Sequence, residues 1–272
     1  MVGTEGGVGG VTAIVQARVS STRLPGKVLL GLAGAPMLQR QLERVARSSL
    51  ITNIVVATST DPSDDPIVEL CSDLGIDVYR GDLNNVLARF IGAIDTYGID
   101  TAVRITADCP LISPSVIDAV IAEFMDSDVD YLSNTLQPSY PDGVDIEVFR
   151  ASLLKELATG DLDSAEREHV TLGVYRRPDS YAVANFAGAS DLSSLRWTVD
   201  SPEDFGFVTW VYAELFAEQP TFDIPEILDL LERHPDRSRV SGAHAHRNAA
   251  LDGLDTGAMS HRSQENPGLT SS

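Results

Sequence analysis

The sequence contains little cysteine and no long apolar segment. Its 272 residues include only two cysteines, Cys71 and Cys109, which excludes a disulfide framework and gives no metal-binding spacing. No apolar run approaches the roughly 18 to 20 residues that a membrane-spanning helix needs. The N-terminal stretch "MVGTEGGVGGVT" lacks the basic region and apolar core of a secretory signal. We therefore expect a cytoplasmic protein that has no membrane partner.

Basic residues are also scarce. Forty acidic residues stand against twenty basic ones, which gives a formal net charge of −20. Nucleic acids and anionic membranes bind mainly through basic surfaces that neutralise phosphate, so this composition excludes them as main partners. Only two of the basic residues are lysines, Lys27 and Lys155, and the first of them lies in a loop near the N terminus. That loop is the first candidate for binding a negatively charged ligand.

Two common nucleotide-binding motifs are missing. The glycines of "GTEGGVGG" precede the first predicted strand, whereas a dinucleotide-binding fingerprint follows a strand and opens a helix. The sequence has no Gly-Lys-Ser/Thr ending of a P-loop either. We predict that residues 1–10 form a flexible leader rather than a nucleotide site.

Short strand patterns alternate with amphipathic helical patterns in the first half of the chain. The segments "TAIVQA", "NIVVATS", "DVYRG", "TAVRIT" and "DYLSN" are rich in branched residues and bounded by turn formers, which is typical of strands. Strand–helix alternation predicts an α/β fold with a mainly parallel sheet that is covered by helices on both faces. Ligands bind such sheets at the carboxyl ends of the strands.

The second half of the chain has a looser pattern. We predict a helix over residues 164–177, a strand at "YAVANFA", and helices near 203–216 and 225–233. From residue 236 onward Ser, Gly, Asn, Asp and Arg dominate without apolar periodicity. The sequence therefore predicts one domain over residues 11–235 and a disordered tail over residues 236–272.

The basic loop in "IVQARVSSTRLPGKVL" follows the first predicted strand directly. Arg18 and Arg23 offer planar forks and Lys27 offers a point charge, and Pro25-Gly26 frees backbone N–H groups, so the loop could cradle a triphosphate. The alternative is a solvated turn whose basic side chains pair with surface acids.

An aspartate lies at the carboxyl end of each of two predicted strands. The stretch "RITADCP" leads to Asp108, and the predicted strand Trp197–Val199 leads to Asp200. Such carboxylates suit Mg²⁺, which prefers one or two of them with phosphate oxygens and water. Alternatively both are helix caps or turn formers, and Ser201 could fill the second cap instead. If both face the basic loop, they predict a site for metal-assisted phosphoryl or nucleotidyl transfer.

The stretch "YPDGVDIEVF" joins a Pro-Asp-Gly turn to an alternating strand. Asp145 and Glu147 therefore share one face of that strand. This face is either the solvent side of an edge strand or a polar wall that holds hydroxyl or amino groups of a substrate.

Six blocks, in this order and spacing, give the chain a resemblance to a known family: "QARVSSTRLPGKVL", "RGDLNNVLARF", "RITADCPLI", "PDGVDIEVF", "EREHVT" and "RWTVDSPEDF". Over roughly residues 11–210 they resemble the SpsF-type cytidylyltransferases of spore coat polysaccharide biosynthesis, which are related to the acylneuraminate and CMP-KDO synthetases. The resemblance implies a three-layer, Rossmann-like nucleotide-diphospho-sugar transferase fold with a mainly parallel mixed sheet. It also implies a homodimer that transfers CMP from CTP to an acidic, nonulosonate-like or KDO-like sugar, with Mg²⁺ as cofactor and release of pyrophosphate.

The resemblance also assigns residues. Lys27, Arg18 and Arg23 would be the catalytic cations of the triphosphate loop, and Asp108 and Asp200 would hold magnesium. The nucleotide would contact Arg18, Ser21, Arg23, Gly26, Lys27, Arg80, Asn84 and Asn85. The acceptor would contact Arg104, Asp142, Asp145, Glu147 and His169. One departure is Ala107, where the family leads us to expect a glycine before the metal aspartate.

Three other functions remain open from the sequence. A glycosyltransferase of the same fold is expected to carry a paired Asp-x-Asp metal motif, whereas "TADCP" has one aspartate. A nucleotidyltransferase for another acid, such as a phosphonate, would differ only at the acceptor wall. A non-catalytic nucleotide-binding module would keep the fold without turnover.

Overall fold

The computed structural model describes residues 10–239 and 260–261 of the chain. The strands are β1 Val11–Gln16, β2 Gly31–Leu32, β3 Ala35–Pro36, β4 Ile51–Ser59, β5 Asp77–Gly81, β6 Thr101–Thr106, β7 Tyr131–Ser133, β8 Glu147–Arg150, β9 Val183–Asn185 and β10 Ser260–His261. The helices are α1 Met37–Val45, α2 Asp65–Leu74, α3 Val86–Tyr97, α4 Pro114–Met125, α5 Ala151–Leu157, α6 Ser164–Glu168, α7 Leu172–Tyr175, α8 Pro202–Leu215 and α9 Ile224–Arg233. Short 3-10 turns occur at Lys27–Leu29, Pro62–Asp64 and Pro235–Arg237.

The main sheet follows the order β10-β9-β7-β8-β6-β1-β4-β5, and β2 and β3 pair separately. Strand β1 lies between β4 and β6 and runs parallel to both. Strand β8 is antiparallel to its neighbours β6 and β7, while the remaining neighbours in the sheet are parallel. The predicted mainly parallel mixed sheet is therefore confirmed.

Helices cover both faces of the sheet because its central strands are apolar on both sides. Along β1, Ala13 and Val15 belong to the core on one face and Ile14 to the core on the other. Helices α1, α2, α4, α8 and α9 contribute to the first core, and α3, α5 and α7 contribute to the second. Strands that are buried on both faces are continuously apolar, and this arrangement confirms the three-layer α/β fold.

The helix predicted over residues 164–177 is broken into α6 and α7. Val170 lies between them with a backbone φ of +35°. A positive φ is unfavourable for a β-branched residue and is incompatible with an α-helix. The start of the helix is as predicted, because Asp163 and Glu166 form a capping box: each carboxylate accepts from the backbone N–H of the other, at 2.8 and 3.0 Å. The prediction of one continuous helix was wrong.

The predicted leader and tail fall largely outside the described residues, which begin at Gly10 and leave out 240–259 and 262–272. A 3-10 turn over residues 235–237 spans the predicted boundary between domain and tail, and Ser260–His261, within the predicted tail, pairs with β9 in parallel. The described chain therefore continues beyond the predicted domain boundary at residue 235. Among the helices of the described part, none combines the length and the apolar character that crossing a membrane requires.

Candidate active site

A cleft opens at the carboxyl ends of β1 and β6. Its volume is about 530 Å³. Its lining consists of Gln16, Arg18, Ser20, Ser21, Thr22, Arg23, Lys27, Val28, Thr106, Ala107, Asp108 and Asp200. The structure therefore brings together the residues predicted for the triphosphate and the metal, with the exception of Gly26.

The loop after β1 is held by a buried carboxylate. Asp64 accepts hydrogen bonds from the backbone N–H of Val19 at 2.7 Å and from the N–H and hydroxyl of Ser59 at 3.1 and 2.5 Å. Gly26 turns the chain back with a φ of +69°, where glycine is favoured, and its N–H donates to the Val19 carbonyl at 3.0 Å. Val19 thus anchors the loop at two points, and Lys27 follows with its side chain in the cleft.

Lys27 uses all three N–H donors of its ammonium group inside the cleft. Its Nζ donates to Asp108 Oδ2 at 3.0 Å, to Asp200 Oδ1 at 3.1 Å and to the Val199 carbonyl at 2.8 Å. Burial works against the charge, but the two carboxylates outweigh it and raise the pKa of Lys27 above its usual value. One cation thus bridges two carboxylates that are far apart in the sequence.

Asp108 keeps its negative charge in this setting. Burial favours the neutral acid, but Lys27 and the Thr106 hydroxyl hold the pKa of this carboxyl below its usual value. The backbone carbonyl of Asp108 accepts from the N–H of Val199 at 2.8 Å. Because Asp200 is the next residue, this backbone bond sets the two aspartates side by side.

The segment Trp197–Val199 is not a strand of the sheet, which corrects the prediction. Its N–H groups donate to loop carbonyls instead: that of Trp197 to Asp142 at 2.6 Å and that of Val199 to Asp108 at 2.8 Å. The side chains of Trp197 and Val199 are fully buried. The apolar residues of this segment are therefore buried against two loops, and the segment does not pair within the sheet.

Neither aspartate of the pair is a helix N-cap. The N-cap of α8 is Ser201, whose hydroxyl accepts from the N–H of Asp204 at 3.2 Å. The N-cap of α4 is Ser113, whose hydroxyl accepts from the N–H of Val116 at 3.2 Å. The structure thus rules out capping as the role of these carboxylates and leaves both of them facing the cleft.

The turn at Gly143 supports the segment that carries Asp200. Gly143 has a φ of +105°, and a β-carbon at this position would lie 2.6 Å from the backbone nitrogen of Thr198 and 2.7 Å from the carbonyl carbon of Trp197. Both neighbours are backbone atoms, which cannot move aside as a flexible side chain can. Glycine is therefore the residue that this close approach requires.

Gly143→Ala is expected to destabilise the fold by about 1–3 kcal/mol, because alanine must adopt the positive φ and press on the neighbouring backbone. Urea or thermal unfolding measures the loss. The matched control is Gly98→Ala, since Gly98 also has a positive φ but has open space where a β-carbon would lie. A loss at Gly143 no larger than that at Gly98 would show that contact with residues 197 and 198 is unimportant.

The residues predicted near the nucleotide lie at the end of β5 and in the loop between β5 and α3. Arg80 donates to the Ser59 carbonyl at 2.9 Å and pairs with Asp65 at 2.8 Å. Asn85 caps α3 through its side chain, and the N–H of Asn84 donates to an aspartate in the same loop. These residues are not part of the cleft lining. Because β5 and β1 run parallel, however, this loop lies at the same edge of the sheet as the cleft.

A buried arginine in the same region was not singled out by the sequence analysis. Arg89 is 1% exposed and donates to the Asp82 carbonyl at 3.0 Å. Burial lowers the pKa of Arg89 to about 10; Asp64 opposes this effect and Arg18 adds to it. Arg89 therefore lies close enough to Arg18 for the two charges to interact. Arg89 lies within the block "RGDLNNVLARF", but nothing in that block distinguishes this arginine from other helical residues.

Arg104 and Glu147, both predicted to contact the acceptor, pair with each other in a buried network. Arg104 donates to Glu147 Oε1, and the hydroxyls of Tyr131 and Thr171 donate to Glu147 Oε2 at 2.9 and 2.5 Å. Burial works against the charge, but Glu147 outweighs it and raises the pKa of Arg104. Neither side chain belongs to the cleft lining, although Arg104 also donates to Oε1 of Gln16 at 3.4 Å, and Gln16 does line the cleft.

Strand β8 is not an edge strand, since it lies between β6 and β7. Glu147 is accordingly 6% exposed, and Asp145 lies just before the strand. Asp142 is buried and pairs with Arg196 at 2.7 Å. His169 is half-buried at the end of α6. The interpretation of this stretch as the solvent side of an edge strand is therefore wrong.

Comparisons with known proteins agree with one another. Residues 12–206 match the family model described as "Cytidylyltransferase". The chain is 34% identical over 231 residues to the spore coat polysaccharide biosynthesis protein SpsF of Bacillus subtilis (strain 168), covering 82% of this chain and 94% of that protein. It is 38% identical over 114 residues to a 3-deoxy-manno-octulosonate cytidylyltransferase of Geobacter sulfurreducens, covering 41% and 44%. The structure of a cytidylyltransferase from Leptospira borgpetersenii aligns with a TM-score of 0.80 at 31% identity, covering 84% and 95%.

Proposed function

The chain belongs to the cytidylyltransferase family, and we propose that it transfers CMP from CTP to a hydroxyl group of an acidic sugar, with Mg²⁺ as cofactor and pyrophosphate as the second product. The observation that carries the proposal is the position of Asp108 and Asp200, which flank Lys27 in the cleft of the basic loop. Carboxylates for a metal and cations for phosphates, facing one another, are what phosphoryl transfer needs.

The two aspartates fit a magnesium ion that is shared with a nucleotide. Their Oδ atoms contact one Lys27 Nζ at 3.0 and 3.1 Å, so both carboxylates point into the same space. Among the side chains of residues 10–239, no group of three or more His, Cys, Asp or Glu could hold a metal. Mg²⁺ does not need such a group, because one or two carboxylates suffice when phosphates and water complete its shell. When bound, it supplies positive charge to the α-phosphate and lowers the pKa of the acceptor hydroxyl.

Lys27, Arg18 and Arg23 are assigned to the triphosphate. The Arg23 side chain is 68% exposed and contacts Asp200 Oδ1 at 3.0 Å, and an exposed pair of this kind separates at little cost. Lys27 has all three donors on protein oxygens, so it can serve a phosphate only by giving up at least one of these contacts. Ser21 and Gly26 belong to the same loop and are assigned to hydrogen bonds with the phosphates.

The proposed reaction needs no nucleophilic side chain. The acceptor oxygen bonds to the α-phosphorus as the bond from that phosphorus to the pyrophosphate oxygen breaks, and the hydroxyl proton passes to solvent. Negative charge builds up on the departing pyrophosphate. Cations held in place beforehand stabilise such charge more in the transition state than in the bound substrate, and this is the role we give to Lys27 and the two arginines.

CTP with Mg²⁺ is expected to stabilise the protein more than ATP or GTP does. A ligand that binds only the native state raises its stability according to the ratio of ligand concentration to dissociation constant. The assignment of Arg80, Asn84 and Asn85 to the nucleotide, together with the family, supports a pyrimidine preference. Melting temperatures at equal nucleotide concentration measure the preference. Equal or greater stabilisation by a purine nucleotide would contradict the assignment.

The acceptor is proposed to be an acidic sugar, because one relative acts in polysaccharide biosynthesis and another is named for 3-deoxy-manno-octulosonate. The residues assigned to this side of the site are Arg104, Asp142, Asp145, Glu147 and His169. Pyrophosphate release with CTP, Mg²⁺ and a panel of sugar acids and phosphonates tests the proposal. Turnover with a phosphonate but with no sugar acid would show that the acceptor is a phosphonate and not an acidic sugar. CTP binding without turnover on any member of the panel would favour a non-catalytic module.

A further inference from the structure

One arginine beside the cleft contacts three carboxylates, and one of them is Asp200. The guanidinium of Arg196 donates to Asp142 Oδ2 at 2.7 Å and to Asp200 Oδ2 at 2.9 Å. It also donates to both oxygens of Asp204, at 3.2 Å each. The Arg196 side chain is 21% exposed, and those of Asp142 and Asp204 are 8% and 3% exposed. A planar fork with several fixed donors can hold three acids at once, as a lysine cannot.

The two oxygens of Asp200 have separate partners. Oδ2 accepts from Arg196 at 2.9 Å, while Oδ1 contacts Lys27 at 3.1 Å and Arg23 at 3.0 Å. Both Lys27 and Arg23 line the cleft. The contact with Arg196 therefore fixes the rotation of the carboxylate, so that Oδ1 points toward the cleft and Oδ2 points away from it.

The backbone of Asp200 is tied to the same cluster. Asp204 Oδ2 accepts from the N–H of Asp200 at 3.1 Å and from the N–H of Ser201 at 3.0 Å. Asp204 in turn contacts Arg196 and Arg239. Arg239 donates to Asp204 Oδ1 at 2.9 Å, and among the described residues its side chain forms no hydrogen bond or ion pair with Asp200. The two arginines therefore share one carboxylate but differ in whether they form an ion pair with Asp200.

We propose that Arg196 is a positioning residue that presents Oδ1 of Asp200 to the metal and keeps Oδ2 away from it. The inference rests on the proposed function, because it takes Asp200 as a metal ligand. Partners that hydrogen-bond to a metal ligand fix its orientation, and their loss typically weakens metal binding about 10- to 100-fold. We expect a loss of this size when the guanidinium is removed.

The direction of the effect separates positioning from simple charge. If Arg196 acted only through its positive charge, its removal would leave more negative charge around the metal and tighten metal binding. Positioning predicts the opposite, because an unrestrained carboxylate must be reoriented each time the metal binds. The sign of the change is therefore informative even when its size is modest.

The experiment measures the dissociation constant of CTP by calorimetry, once with Mn²⁺ and once with EDTA, in the absence of an acceptor. The dissociation constant with EDTA divided by the constant with Mn²⁺ gives a ratio that reports how much the metal strengthens CTP binding. Arg196→Met is expected to reduce this ratio about 10- to 100-fold and to leave the EDTA value unchanged. Arg239→Met is the matched control, since it removes one positive charge from Asp204 without touching Asp200, and its ratio should equal that of the wild type.

Arg196→Lys covers the case in which Arg196→Met does not fold, because it retains the charge of the buried cluster. It is expected to lower the ratio as well, since an ammonium lacks the fork. A folded Arg196→Met or Arg196→Lys protein whose ratio equals or exceeds the wild-type ratio would overturn the inference, and so would an equal loss in Arg239→Met. If Mn²⁺ does not strengthen CTP binding to the wild-type protein, the metal assignment itself fails, and the inference fails with it.

Discussion

Replacing Asp108 or Asp200 by Asn is expected to lower turnover on the order of a thousandfold or more and to leave the fold intact. Asparagine keeps the size of the side chain and its ability to accept hydrogen bonds, but it removes the charge that a magnesium ion needs. Lys27 retains one ionised partner in either single variant, so the cleft keeps its local structure. Steady-state pyrophosphate release measures turnover, and far-UV circular dichroism checks folding.

The double variant is expected to be little worse than the worse of the two single variants, because residues that act as one unit are not additive. Asp95→Asn is the matched control, since this aspartate is exposed on α3 and pairs only at the surface with Lys155. It should retain wild-type turnover. Near-normal activity in Asp108→Asn would end the metal hypothesis, because the charge that a magnesium ion needs at this position would then be dispensable.

The sequence predicted the meeting of Asp108 and Asp200 because strand ends obey a simple geometric rule. Asp108 follows β6, and the carboxyl ends of parallel strands lie at one edge of the sheet. Asp200 reaches the same edge even though the segment before it is not a strand. The N–H of Val199 bonds to the Asp108 carbonyl, so an extended segment on a loop delivers the side chain as a strand would. An apolar pattern shows that a segment is buried, but it does not distinguish a strand of the sheet from an extended segment that packs on a loop.

The ion pairs around the site could not be predicted in the same way. With forty acids for twenty bases, no pattern says which carboxylate pairs with which cation. Asp64 anchors the basic loop through Val19, which lies 45 residues before it in the sequence. Arg196 forms ion pairs with three aspartates from two separate segments. These contacts depend on how the loops pack above the sheet. The burial of Glu147 has a different origin, because it follows from the position of β8 as an antiparallel strand between β6 and β7.

Lys27→Ala is expected to reduce turnover about 30- to 1000-fold, which corresponds to about 2–4 kcal/mol of transition-state stabilisation. Lys155→Ala deletes the same charge and is expected to leave turnover nearly unchanged. The Lys155 side chain is 48% exposed on α5 and pairs with Asp95 at 2.6 Å, and such surface pairs contribute little. Steady-state kinetics of both variants, with CTP and the acceptor saturating, measure the difference. Small effects at both lysines would contradict the assignment of Lys27 to the triphosphate.

The contacts of Lys27 with Asp108 and Asp200 raise a competing explanation that kinetics can separate. If the ammonium served only to keep these carboxylates together, its loss would lower stability, and saturating Mg²⁺ would restore turnover by replacing one cation with another. If Lys27 acts on the phosphates, the loss of turnover persists at saturating Mg²⁺, because the metal cannot occupy both positions. A magnesium titration of Lys27→Ala, followed by turnover and by melting temperature together, therefore decides whether this lysine holds the aspartates or stabilises the departing pyrophosphate.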